Sequence, residues 1–246
     1  MSSTIYVRFY AELNDFLPPE KQQITFTCSV FGKPTVKDLI ESLGAPHTEV
    51  DLILVNGTSA GFSHYLTHGD RLSVYPVFES LDIKPILKVR PEPLREPRFI
   101  LDTHLGKLAS YLRMCGFDTL YRNDYDDSEL ATVSKREHRI LLTRDRGLLK
   151  RSVVSHGYLV REDEPSKQAA EILRRFDLAG MVRPFRLCLR CNVKLETVSK
   201  ESVRDKVPPR VFNINEEFCR CPECGRIYWQ GTHYQKMEGF IHSLIS

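Results

Sequence analysis

Arg98-Phe99-Ile100-Leu101-Asp102 and Arg139-Ile140-Leu141-Leu142-Thr143-Arg144-Asp145 decide how this chain is read. Each is a short apolar run that leads to an aspartate. Runs of this length and composition read as buried parallel strands. In open α/β sheets, chemistry collects just beyond the carboxyl ends of such strands. The pattern therefore places Asp102 and Asp145 at one sheet edge. The acidic segment Asp124-Tyr125-Asp126-Asp127-Ser128-Glu129 lies between them in sequence and can bring further carboxylates.

The surrounding periodicity completes an α/β unit. A helix is predicted over 104–114, with Leu105, Leu108, Ala109 and Leu112 on one face, Thr103 as a cap and Gly116 as its end. A strand follows at Asp118–Arg122. A second helix opens on Asp127-Ser128, either of which can cap it, and runs to about Glu137. Then come the strand Arg139–Thr143, a short helix with Leu148 and Leu149, and the strand Gly157–Val160. The helix Ser166–Leu178 turns Ala169, Ile172, Leu173 and Phe176 inward. This β-α-β-α-β order predicts a small parallel sheet. No G-x-G-x-x-G follows the first strand, which argues against a dinucleotide fold.

Carboxylates at neighbouring strand ends suit Mg²⁺ or Mn²⁺, which neutralise a phosphate and activate water for phosphodiester hydrolysis. Asp102 and Asp145 are the first candidates. Asp127 is the candidate between them, with Asp124, Asp126 and Glu129 as competitors. Thr143 could hydrogen-bond a ligand carboxylate. Arg144, Arg146 and Lys107 could hold the scissile phosphate. The competing reading makes each aspartate a helix cap or turn residue, where Asp is preferred. Two strand-terminal aspartates plus an acidic loop are harder to account for in that way. His104 and His138 read as surface residues.

The first 83 residues read differently. Ile5, Val7 and Phe9 alternate in a strand over 4–10, and Ile24, Phe26, Cys28 and Val30 alternate in its hairpin partner over 22–30. Pro34–Leu43 reads as a helix capped by Thr35 and closed by Gly44. Strands over Leu52–Val55 and Arg71–Val77 follow, the first entering the turn Asn56-Gly57. Strand, strand, helix, strand, strand is a β-grasp order. The pieces LILVNG and LTHGDRLSVYPVF resemble the ubiquitin-like sulfur carriers of thiamin and molybdopterin synthesis. Those carriers end on a free Gly-Gly tail. Here Phe78-Glu79-Ser80-Leu81-Asp82-Ile83 runs on into more chain, so carrier chemistry is not expected. The unit reads instead as a module that docks a protein partner. Residues 84–97 hold four prolines and read as an extended linker.

Charge divides along the same line. Residues 1–83 carry 5 Lys/Arg and 10 Asp/Glu, whereas residues 84–246 carry 30 and 22. A basic segment fits nucleic-acid phosphates, although surface solvation also explains it. The sequence has no apolar run long enough to cross a membrane and no recognisable secretion signal. A reducing, cytoplasmic setting is expected.

The most specific short signal is Cys188-Leu189-Arg190-Cys191 with Cys221-Pro222-Glu223-Cys224, the two pairs 29 residues apart. Paired CxxC knuckles are the zinc-ribbon arrangement, with four thiolates around a structural Zn²⁺. Cys219 is a spare or a substitute for Cys221. His233 is a further donor that a four-cysteine site does not need. Tyr228, Trp229 and Tyr234 could stack on bases or pack within the ribbon. Residues 183–246 carry 11 Lys/Arg and 7 Asp/Glu, which suits RNA.

The stretches FILDTHLGKLASYLRMCGFDTLYRNDYDD and RILLTRDRGLL resemble the PIN-like ribonuclease domain called Mut7-C, and the likeness runs on through the cysteines, over roughly 98–240. Members commonly carry an N-terminal β-grasp unit. The resemblance implies a metal-dependent RNase in which Asp102 matches the first acidic position and Asp145 a later one. The expected organisation is a β-grasp domain at 1–83, a linker at 84–97, a PIN-like domain at 98–182, and a zinc ribbon with a final helix at 183–246. The expected activity is RNA cleavage, by fold analogy endonucleolytic. A non-catalytic RNA- or ribosome-binding adaptor is the alternative.

Overall fold

A computed structural model describes residues 2–76 and 97–245. The linker reading at 84–96, the tail Phe78–Ile83 and the last residue of the strand read to Val77 lie outside the described residues. In chain order the elements begin with β1 Ser2–Phe9, β2 Phe26–Phe31, α1 Val36–Ser42, β3 Val50–Val55, β4 Thr58–Ser59 and β5 Arg71–Pro76. They continue with β6 Phe99–Leu101, α2 Gly106–Met114, β7 Thr119–Tyr121, α3 Asp127–Glu137, β8 Ile140–Thr143, α4 Arg146–Leu149, β9 Gly157–Leu159 and α5 Pro165–Arg175. The last are β10 Glu196–Val198, α6 Pro209–Ile214, β11 Phe218–Arg220, β12 Ile227–Trp229 and α7 Thr232–Ile245. No described helix is long and apolar enough to cross a membrane.

The chain forms two compact units, Met1–Glu96 with Asp126–Leu159, and Pro97–Tyr125 with Val160–Ser246. In the first, five strands run in the order β2-β1-β5-β3-β4, with β1 and β5 parallel and the other pairs antiparallel. This is the β-grasp arrangement that the N-terminal pattern predicts. Ile5, Val7 and Phe9 are buried while Tyr6 and Arg8 face outward, the period-two pattern of a sheet with one covered face. Val36, Leu39 and Ile40 of α1 supply its buried side. Thr35 caps α1 in a reciprocal box: its hydroxyl accepts from Asp38 N, and the Asp38 carboxylate accepts from Thr35 N. Asn56 and Gly57 both take positive φ between β3 and β4, as a tight two-residue turn requires.

The hairpin partner of β1 starts at Phe26 rather than at residue 22. The buried side chain of Asn14 accounts for the delay. Its Oδ1 accepts from Gln23 N at 2.7 Å, and its Nδ2 donates to the carbonyls of Phe9 and Ala11. Gln23 consequently sits at φ 58 and cannot extend the strand, and Ile24 remains exposed.

The same unit holds α3, β8, α4 and β9, with β8 and β9 paired in parallel. All four residues of β8 are buried, as its short apolar run predicts. The second unit holds the parallel pair β6–β7. Phe99 packs edge-on to Phe117 and Phe176, and α5 packs against both α2 and α7. β10, β11 and β12 form an antiparallel sheet over a small core of Val203, Val207 and Phe218.

Candidate functional site

Cys188, Cys191, Cys221 and Cys224 place their sulfurs within 4.8 Å of one another. The two knuckles repeat one local geometry. The amides of Cys191 and Cys224 point at Sγ of Cys188 and Cys221, at 3.4 and 3.5 Å. Asn192 and Gly225, each just past its second cysteine, adopt positive φ, at 64° and 69°. Cys188 Sγ and Cys224 Sγ lie 3.7 Å apart. Four sulfurs at zinc–thiolate bond lengths would be separated by about 3.8 Å. The donor set and its spacing therefore fit a metal held by four thiolates.

The electrostatics agree. Burial disfavours a charge on Cys188, but hydrogen bonds from Tyr228 and from the amides of Cys191 and Arg190 outweigh it and bring the thiol down to about 6. Burial and the neighbouring sulfurs push Cys191 up to about 12. Sulfurs this close repel one another as thiolates, and a shared cation relieves that repulsion. Cys219 lies in β11 opposite Tyr228 and is not one of the four, so the second pair is Cys221 with Cys224. His233 is an exposed residue of α7 outside the quartet.

The three ribbon aromatics are engaged within the protein. Tyr228 donates to Cys188 Sγ at 3.1 Å, Trp229 packs against the Val203–Phe218 core, and Tyr234 lies 4.1 Å from Phe185, centroid to centroid. The first knuckle is seated on its own unit by polar bonds that spacing did not foretell. Arg113, buried at the end of α2, donates to the carbonyls of Thr119, Leu189 and Arg190, each at 2.9 Å. Asn192 accepts from Thr119 N at 2.8 Å and donates to Asp118 at 2.6 Å.

The acidic candidates occupy both units. Asp102, at the end of β6, accepts from Thr103 N at 2.6 Å and caps the 3-10 turn Thr103–Leu105. Thr103 is the first residue of that turn, with Asp102 as its cap at ψ 154°, and α2 itself starts at Gly106 with no side-chain cap, so Thr103 does not cap the helix. Asp145 stands just past β8 and caps α4, its Oδ1 accepting from Gly147 N at 2.6 Å, while Thr143 Oγ1 accepts from Asp145 N at 2.9 Å.

In the acidic loop, Arg122 holds Asp124 at 2.9 Å and pulls its carboxyl below the usual range. Asp126 caps α3 through Glu129 N at 2.7 Å. The cap therefore falls one residue before Asp127 and two before Ser128, the two residues expected. Asp127 opens the helix, exposed, with Arg151 at 3.9 Å. Lys107 is exposed above the Tyr111 ring, Arg144 is exposed, and Arg146 lies over the ring of Phe16 at 5.1 Å. His104 and His138 are exposed, the latter closing α3 at φ 51°.

The Mut7-C RNAse domain matches residues 97–241. The chain belongs to the Mut7-C RNAse domain family. The Mut7-C segment is preceded by a second match, Mut7-C ubiquitin, over residues 2–82, which coincides with the β-grasp sheet. Among solved structures, the chain is similar to small archaeal modifier protein 1 of Haloferax volcanii, at 20% identity over 31% of this chain and 99% of that one, with a TM-score of 0.26. It is also similar to the HVO 2177 protein of the same organism, at 22% identity over 32% and 88%, with a TM-score of 0.26. Curated proteins give no match. The Mut7-C assignment makes the chain a nuclease-family protein with a ubiquitin-like N-terminal domain, and its four clustered cysteines are spaced to hold a metal.

Proposed function

We propose that this protein is a divalent-metal-dependent endoribonuclease, and the observation that carries the reading is the Mut7-C RNAse match over 97–241. Asp102, Asp127 and Asp145 would hold Mg²⁺ or Mn²⁺. When bound, such an ion would supply charge neutralisation at the phosphate and an acidified water. Support for Asp145 comes from its cap bond, which engages Oδ1 at 2.6 Å in an exposed turn. Support for Asp127 comes from its neighbours: Asp124 is tied to Arg122 and Asp126 to a helix cap, whereas Asp127 has a cation only at 3.9 Å. Arg144, Arg146 and Lys107 would contact phosphates.

The four cysteines would hold zinc in a closed structural site, and the ribbon around it would bind RNA through its basic surface. The working division is a β-grasp domain at 1–83, a linker at 84–97, a nuclease domain at 98–182 and a ribbon at 183–246. Reduced thiols at the metal site suit a cytoplasmic setting. The β-grasp domain would serve protein recognition.

The test is hydrolysis of single-stranded and structured RNA with Mg²⁺ or Mn²⁺, comparing wild type with Asp102→Asn and Asp145→Asn. Cutting by wild type that both variants lose supports the reading. Cutting that survives in both removes it.

A second reading, an RNA- or ribosome-binding adaptor that does not cut, draws on the same two aspartates, since each already serves as a cap. It expects salt-sensitive RNA binding that is unaffected by the Asn variants and abolished by loss of Cys188 and Cys191.

A further inference from the structure

Between α1 and β3 the chain makes a single 3-10 turn, His47–Glu49, and all three residues are buried. Two buried ionisable groups in one short turn need partners. Each of the two takes one partner from the α4–β9 segment, more than a hundred residues away. His47 Nε2 meets the carbonyl of Val154 at 2.9 Å, while its Nδ1 meets the Glu41 carboxylate at 2.6 Å. Glu49 Oε1 accepts from Leu159 N at 2.7 Å, taking up a main-chain donor at the end of β9. An unpaired strand donor is costly to bury, so this carboxylate seals that edge.

The short helix α4 is gripped at both ends from the same side. Its first residue, Arg146, lies over the Phe16 ring at 5.1 Å, and its C-cap, Lys150, donates to the Glu41 carbonyl at 2.7 Å. A four-residue helix has little stability of its own. What fixes it also fixes the turn before it, and the residue in that turn is Asp145.

We propose that the β-grasp domain is a positioning element for Asp145: Glu49 and Lys150, with the Glu41–His47 pair, anchor the α4–β9 segment and so hold the Asp145 carboxylate in one orientation. This rests on the reading of Asp145 as a metal ligand. It changes the role of the N-terminal domain. A docking module on a linker could be removed with the cutting left intact, whereas a positioning element could not.

The test uses the full chain and three variants, Lys150→Met, Glu49→Ala and Glu49→Gln. Hydrogen exchange of residues 145–150 should rise about tenfold in Lys150→Met and Glu49→Ala, as local opening no longer has to break those anchors. Glu49→Gln keeps an oxygen able to accept from Leu159 N and should return exchange toward wild type. Protection of β1 and β5 should not change in any of the three, which separates loosening of α4 from unfolding. Mn²⁺ affinity, read by titration without RNA, should fall about tenfold in the two loosened variants, the size of effect seen when a ligand's supporting partners are lost. Should Glu49→Ala fail to fold, Lys150→Met decides.

Unchanged exchange at 145–150 in Lys150→Met overturns the proposal. So does faster exchange with unchanged Mn²⁺ affinity in a chain that cuts RNA through Asp145. A chain that never cuts RNA, yet shows both coupled effects, removes the nuclease reading and keeps the positioning role.

Discussion

Arg113 donates from its guanidinium to the main-chain carbonyl of Leu189 at 2.9 Å. That bond, with its partners at Arg190 and Thr119, joins α2 and β7 to the first cysteine knuckle. Replacing Arg113 by Met would leave three carbonyls without this donor. Hydrogen bonds to a charged group contribute roughly 1.5–3 kcal/mol each, and losses at one site are not additive, so a destabilisation of about 3–5 kcal/mol is expected. Urea unfolding checks it. Lys at this position would recover only part of the loss, because an ammonium cannot present the planar fork that reaches all three acceptors.

Metal removal should act on the ribbon first. Its core is small, with Val203, Val207 and Phe218 as its buried members. Such a core cannot meet the entropy of ordering the segment by itself. A zinc chelator should therefore abolish the β10–β12 hydrogen-exchange protection and release one zinc for four newly reactive thiols. Cys188→Ser should do the same without chelator. Cys219→Ser should leave the metal content unchanged, since Cys219 is not among the four clustered sulfurs.

Asp102→Asn and Asp145→Asn separate chemistry from folding. Asn is as good as Asp at a helix N-cap, so both variants should keep their stability within a few tenths of a kcal/mol. Asn is a poor ligand for a hard divalent ion, and cleavage should fall on the order of 10²–10³-fold, comparable to losing a principal electrostatic group. Thermal melts and RNA cleavage on the same preparations read the two effects. Alanine at either position would also remove the cap, at a cost of about 1 kcal/mol.

The β-grasp domain should be sensitive to acid through Asp70. Burial disfavours its charge, yet hydrogen bonds from Thr67 N at 2.7 Å, Asn56 Nδ2 at 2.8 Å and the Thr67 hydroxyl at 3.0 Å hold its pKa below the usual value. A carboxylate whose folded pKa is depressed contributes stability above its unfolded pKa, about 3.9 for Asp, and that contribution is lost as pH falls through the lower folded value. Wild type should therefore lose more stability than Asp70→Asn as pH falls from about 5 to below the folded pKa. Urea titrations across that range measure the difference.

Several local decisions were legible in the residues alone. The period-two burial of Ile5, Val7 and Phe9, the Thr35 cap and the Asn56-Gly57 turn each depend on neighbours a few positions away. Other choices were not resolved at that range. Asp126, Asp127 and Ser128 are all good capping residues, and only the backbone angle at Asp126, ψ 163°, with its bond to Glu129 N, settles which one caps α3. Tyr228, Trp229 and Tyr234 carry no sign in sequence of whether they face solvent or the ribbon, and packing engages all three within the protein.

By itself the sequence determined the β-grasp order, the parallel strands that end near Asp102 and Asp145, and the four-cysteine site, because strand period, strand ends and CxxC knuckles are written in short-range spacing. Tertiary structure alone decided that Arg113 seats a knuckle 76 residues away and that Glu49 closes β9 from 110 residues away. Those partners are selected by the cost of burying a charge or a main-chain donor unpaired, a cost that arises only once the chain has folded and water has left the contact.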